Sequence, residues 1–256
     1  MDTADYAEAT LFKKMYQAWF ILGALSTVTV ILSYINLSDK SGWAVADMYI
    51  LIATLIIIAA VSFALYYQCR YNMSQKAIDY SLIILAIVLI IAMMPVCDAT
   101  ATYYWIIIIV TFIFSVIMFL INVIYIGAKE LHEGSTKIVT APLFIAAMLT
   151  MLCIGLLGNS SAFNVDTYSN QYFVVGFAGT VILFGWLTGC VLVAAYILFQ
   201  PGRRGINLMI LGAIANACVG IAYSGPPGIG LKVILLASTA FLVISVILAR
   251  ICLSKR

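Results

Sequence analysis

Eight uninterrupted apolar stretches, each about 20 residues or longer, divide this sequence, and no other feature limits its fold as much. They run over about 15–36, 48–68, 78–97, 103–127, 138–158, 172–199, 206–224 and 230–252. A helix of about 20 residues crosses the roughly 30 Å of bilayer hydrocarbon and satisfies its own backbone on the way. Strands of a membrane barrel would instead alternate apolar and polar residues over about 10 positions. Composition agrees: 65% of the 256 residues are hydrophobic, 9% are charged, and the mean hydropathy is +1.14. A soluble domain carries about 25% charged residues. The composition excludes a soluble globular domain, a disordered tail and a nucleic-acid binder. Six Cys are too sparse for a disulfide scaffold. The expected fold is all-α: a polytopic transmembrane helix bundle of eight spans.

Cations set the expected orientation, because cytoplasmic loops collect Lys and Arg. One set of alternating segments holds Lys13, Lys14, Arg70, Lys76, Lys129, Lys137, Arg203, Arg204, Arg250, Lys255 and Arg256. The other holds only Lys40 and Lys232. Both termini are therefore expected in the cytoplasm. The acidic start (Asp2, Asp5, Glu8) and the long first run read as a signal anchor rather than a cleaved leader. Residues 1–14 form an expected cytoplasmic segment, with Leu11 and Phe12 suited to an interfacial helix.

The eight spans split into four plus four at Lys129-Glu130-Leu131-His132-Glu133-Gly134. Residues 15–128 form the first expected repeat, 129–137 a cytoplasmic linker and 138–256 the second repeat. Asn36-Leu37-Ser38 and Asn159-Ser160-Ser161 end the first and fifth spans. Ile78-Asp79 and Ile206-Asn207 open the third and seventh. Pro95 and Pro226-Pro227 close them. Four is even, so the repeats run parallel; inverted repeats need an odd number of spans. Of 17 Gly, only Gly23, Gly42 and Gly127 precede residue 134. Gly185 and Gly189 form a GxxxG in the sixth span, a pattern that lets helix backbones approach closely. Tighter packing, or a surface for a partner helix, is expected in the second half.

No charged residue lies within a span interior. Asp79 sits at an inner mouth, and Asp98 and Asp166 lie at or beyond the outer face. His132, the one His, stands in a loop between Glu130 and Glu133 and has no Cys beside it, so no metal site is expected. No catalytic residue and no cofactor-binding residue emerges. Asn122 and Asn216 are the strongest intramembrane polar groups, suited to cross-helix hydrogen bonds or to lining a pore. Thr111, Ser115, Thr180, Ser238 and Thr239 can bond to their own helices. Cys69 and Cys252 lie at inner helix ends near Arg70 and Lys255, the setting of S-acylation. Cys97 and Cys153 lie near the outer face. Asn159 is the candidate glycosylation site; Asn36 stands too close to the membrane. Trp19, Trp43, Tyr66, Tyr67, Tyr103, Tyr104, Trp105, Tyr168 and Tyr172 read as interfacial anchors.

Gly42-Trp43, Tyr66-Tyr67 and Ile78-Asp79-Tyr80, with Tyr196 and Ile206-Asn207 in the second half, resemble the four-span MARVEL domain. Two tandem copies resemble the eight-span arrangement of myeloid-associated differentiation marker proteins. The second half lacks the Gly-Trp pair and the Asp. The resemblance implies a non-enzymatic role in organising membrane domains or vesicle trafficking, at the plasma membrane or endomembrane vesicles. It carries no catalytic residue with it. The expected partners are membrane lipids and a helix docking on the Gly-rich half. Two other readings stand beside it: a channel or transporter for a small or neutral solute, and an accessory subunit of a larger membrane complex.

Overall fold

Ile and Val favour strands in water, but in hydrocarbon the backbone has no partner except itself, so Ile-rich segments become helices. The computed structural model describes residues 3–36, 43–71, 73–98, 103–130, 135–159, 169–223 and 228–254. Its helices are α1 (Thr3–Ile35), α2 (Trp43–Arg70), α3 (Gln75–Asp98), α4 (Tyr103–Lys129), α5 (Thr140–Asn159), α6 (Ser169–Leu198), α7 (Gly202–Ala222) and α8 (Ile229–Ser254). A single 3-10 turn over Lys137–Val139 leads into α5, and no strand occurs among the described residues. All eight helices are long and apolar enough to cross a membrane, which marks the chain as an integral, multi-pass membrane protein.

Residues 3–14 continue α1 without a break, ahead of the membrane-length apolar stretch Met15–Ile35. Two local expectations shift. Pro95 lies inside α3, which runs on to Asp98. A proline in the last turn removes a single backbone donor and need not end the helix there. Trp19 is fully buried and so is no interfacial anchor. The side chains of Trp43, Tyr103, Tyr104, Trp105, Tyr168 and Tyr172 lie outside the described residues.

The chain divides into two compact units, residues 1–120 and 121–256. In the first, α1 packs on α2 and α2 on α3. Leu22, Leu51, Ile58, Leu65, Leu82, Leu85 and Leu89 are buried there. The rings of Tyr16 and Tyr66 lie 5.7 Å apart, and those of Phe20 and Phe63 5.9 Å, at the end of α1–α2 that carries Arg70. That guanidinium lies 5.8 Å from the Tyr66 ring centroid, so Tyr66 does sit with the polar end of its helix. Buried Thr29 and Thr111 hydroxyls, 2.9 Å apart, tie α1 to α4.

In the second unit α5 packs on α6 and α8, α6 on α7, and α7 on α8, closing an antiparallel ring of four helices. The end of α4 belongs here because Gly127 lies directly on Ile138. A Cβ at Gly127 would stand 2.6 Å from the Ile138 backbone nitrogen. The connection is fixed by Glu130, which accepts from Ser135 Oγ at 3.0 Å and pairs with Lys137 Nζ at 3.2 Å. Gln200, held at φ 48° after α6, donates to Ser135 Oγ at 3.3 Å and so ties the α6–α7 turn to the same linker.

Candidate functional site

The polar residues of greatest interest in a membrane interior are those that cannot be satisfied on their own helix. Asn216 is one of these. It lies on α7, is 1% exposed, and has three ring neighbours within reach. Its Nδ2 donates to Ser238 Oγ of α8 at 3.1 Å and to Thr150 Oγ1 of α5 at 3.5 Å. Both hydroxyls donate to the Ala146 carbonyl, at 3.0 Å from Ser238 and 2.8 Å from Thr150. Their lone pairs are thereby left to accept the two amide protons, which fixes the amide with nitrogen toward α5 and α8. Asn216 Oδ1 then faces α6. A Cβ at Gly185 would stand 3.0 Å from that oxygen, so the glycine makes the room the amide occupies.

Four helices meet at this layer. Thr150 lies ten residues into the 20-residue α5, about 15 Å along it and hence near the middle of the span. One turn nearer the α6–α7 turn, the ring tightens. A Cβ at Gly189 would stand 2.8 Å from the Cβ of Ala147, so α5 and α6 are in backbone-to-backbone contact. The GxxxG face is thus occupied within the bundle, by α5 and by Asn216. Not every glycine serves this way: Gly179 and Gly230 have open space where a side chain would be.

On the opposite side of the polar layer the ring is closed by apolar side chains. Cys153, Leu157, Ala178, Ile182, Val219, Tyr223, Leu231 and Leu235 form one buried cluster contributed by all four helices. Cys153 is a free thiol within it. No Asp, Glu, Lys or Arg is buried in this unit among the described residues. Among the described residues, no group of three His, Cys, Asp or Glu could hold a metal ion.

The remaining expected residues fall elsewhere. Asn122 is buried on α4 at 4% exposure. The Cys69 and Cys252 thiols are buried, at 7% and 2%, so acyl transfer to either requires its helix end to move first. Asn159 is the last residue of α5; its side chain and the rest of its glycosylation motif lie outside the described residues, as do His132 and the side chain of Cys97. Ser238 corrects the expectation that it bonds to its own helix, because its proton goes to α5 instead. Thr150 was not singled out by sequence at all. A mid-span Thr normally satisfies itself on the preceding turn, and only its proximity to Asn216 gives it a second partner.

Comparison of the chain with protein-family models, with curated proteins and with solved structures returns no match.

Proposed function

We propose that this protein is a non-enzymatic membrane organiser, acting through lateral contacts with lipids and neighbouring proteins. The observation that carries the reading is the cross-linked, apolar packing inside the second unit. Within its four-helix ring the Asn216 amide spends both protons on neighbouring helices, and an apolar cluster from all four helices lies beyond it. Such a core ties helices together, and no charged side chain is buried in it among the described residues. The outward faces are apolar and continuous: Ile106, Ile113, Ile117, Ile121 and Ile124 form an exposed row along α4. The short connections leave membrane-facing surface as the main place to meet partners.

The tandem four-helix arrangement belongs to the same proposal. In the first unit a buried Thr–Thr pair joins its first and fourth helices, Thr29 to Thr111 at 2.9 Å. In the second, Ser238 of α8 donates to the Ala146 carbonyl of α5 at 3.0 Å, joining the corresponding helices. Equivalent ties at equivalent places support two parallel repeats. They accord with the MARVEL-like plan and with cytoplasmic termini, the side on which 11 of the 13 cations fall. The plasma membrane and endomembrane vesicles are the proposed locations.

The test is reconstitution of the fluorescently labelled chain into giant vesicles with coexisting lipid phases, loaded with a small neutral solute. The reading expects enrichment in one phase and no solute loss beyond that of empty vesicles. Even distribution between phases, with efflux that rises with protein density, would overturn it.

A further inference from the structure

The sequence from residue 167 to 256 contains six Lys or Arg and no Asp or Glu. Such an excess has no counter-charge within that stretch, so its placement matters. Arg203 is the second residue of α7 and Arg250 lies near the end of α8, and these antiparallel helices pack side by side. Their adjacent ends enclose a cavity of ≈ 400 Å³ lined by Arg203, Ile206, Asn207, Arg250, Leu253 and Ser254. The lining has a simple basis. Arg203 and Asn207 are four residues apart on α7, as are Arg250 and Ser254 on α8, so each pair shares one helix face. Neither arginine has a hydrogen-bond or ion-pair partner among the described residues, and both are exposed. Two unpaired guanidinium groups therefore face one cleft from different helices, with an amide and a hydroxyl beside them. Apolar side chains continue from it along the outside of the bundle: Leu208 and Leu211 on α7, Ile247 and Ile251 on α8.

We propose that this cleft binds the phosphate of an anionic phospholipid headgroup, with the acyl chains lying on the exposed faces of α7 and α8. Guanidinium groups match phosphate oxygens with paired, charge-assisted hydrogen bonds. Basic clefts between spans on the cytoplasmic side have the right charge and depth for headgroups. A free phosphate would satisfy the arginines equally, but the apolar continuation suits an amphiphile. The site rests on the lipid-contact part of the proposed function. It is read by binding, whereas that reading is tested by phase partition and efflux, so either can fail alone.

The test is native mass spectrometry of the full-length chain in detergent, titrated with dioctanoyl phosphatidylinositol 4-phosphate, with the matching phosphatidylcholine, and with soluble inositol 1,4-bisphosphate. The expected result is one retained phosphoinositide and no saturable phosphatidylcholine adduct. R203Q/R250Q should weaken the phosphoinositide adduct about tenfold or more, since hydrogen bonds to charged groups are the stronger class. R203Q and R250Q singly should each weaken it, and K232Q, at the opposite end of α8, should not. Undiminished binding by the double variant overturns the site. Equal loss in K232Q overturns it in favour of diffuse charge attraction. Inositol 1,4-bisphosphate binding as tightly as the lipid overturns the assignment to lipid. Both arginines are exposed and unpaired, so circular dichroism of all variants should match the parent.

Discussion

Substituting Gly189 by Ala would force α5 and α6 apart. The added Cβ would meet the Ala147 Cβ at 2.8 Å, whereas carbon atoms pack best at about 3.5–4.0 Å. The overlap approaches 1 Å and lies between two backbones, so no flexible side-chain end can yield. Overpacking of this kind costs about 1–3 kcal/mol. Replacing glycine by alanine within a helix returns up to about 1 kcal/mol. A net loss of about 1–2 kcal/mol is expected, which at about 2–4 °C per kcal/mol lowers the melting temperature by several degrees. The decisive variant is the compensating one. Removing the Ala147 Cβ leaves the Ala147 Cα, 3.4 Å away, as the nearest atom to a residue-189 methyl, an ordinary contact. Gly189→Ala with Ala147→Gly should therefore be more stable than the sum of the single changes by about 1 kcal/mol or more. The assay is thermal unfolding of the detergent-solubilised chain, followed by Trp fluorescence, for parent, both singles and the double. Energies that add to within about 0.5 kcal/mol would refute the close approach of α5 and α6 at this point.

Other outcomes follow from the same packing. Asn216→Leu gives up cross-helix bonds worth about 0.6 kcal/mol each, but removes an amide oxygen that has no hydrogen-bond partner in the structure. Thermal unfolding should change by no more than about 1 kcal/mol, because stranding such an atom itself costs about 1–3 kcal/mol. Asn216→Asp places a carboxylate at mid-span, costing about 2.5–3.5 kcal/mol, and should reduce the yield of folded protein in size-exclusion chromatography. Gly127→Ala drives a methyl to within 2.6 Å of the Ile138 backbone and should lower the melting temperature by more than Gly189→Ala, since the obstacle is main chain. Cys69 and Cys252 should resist a maleimide in the folded protein and react after denaturation in SDS, as mass spectrometry of the labelled peptides would show.

The eight helices were legible because backbone desolvation leaves hydrocarbon-length apolar runs no other structure, and each run carries that signal by itself. Their ends were less legible. Pro95 marks a boundary by propensity, yet α3 continues through it to Asp98, because a last-turn proline loses little. Trp19 matched an interfacial anchor by position along the chain, but the face it occupies is set by the pitch of α1 against its neighbours, and it is buried. The polar layer was half visible. An amide at mid-span stands out, so Asn216 was found. Thr150 and Ser238 were not, because hydroxyls in helices are usually satisfied locally and their long-range role depends on three helices meeting. The arginine cleft was hidden similarly. Arg203 and Arg250 are 47 positions apart and were visible only as cytoplasmic charge; the antiparallel pairing of α7 and α8 places them around one opening.

The most direct test of the central claim, a sealed rather than a conducting second unit, is water access to the Asn216 layer. Single cysteines at Thr150, Asn216 and Ser238 would be placed in a chain whose six native Cys are replaced by Ser, reconstituted in vesicles, and exposed from both sides to a charged methanethiosulfonate reagent. Cysteine at exposed Arg203 serves as the reactive control. The account predicts rapid labelling at position 203 and none at 150, 216 or 238 from either side. Labelling at any of those three at a rate comparable to the control would show an aqueous path into the bundle and contradict the account.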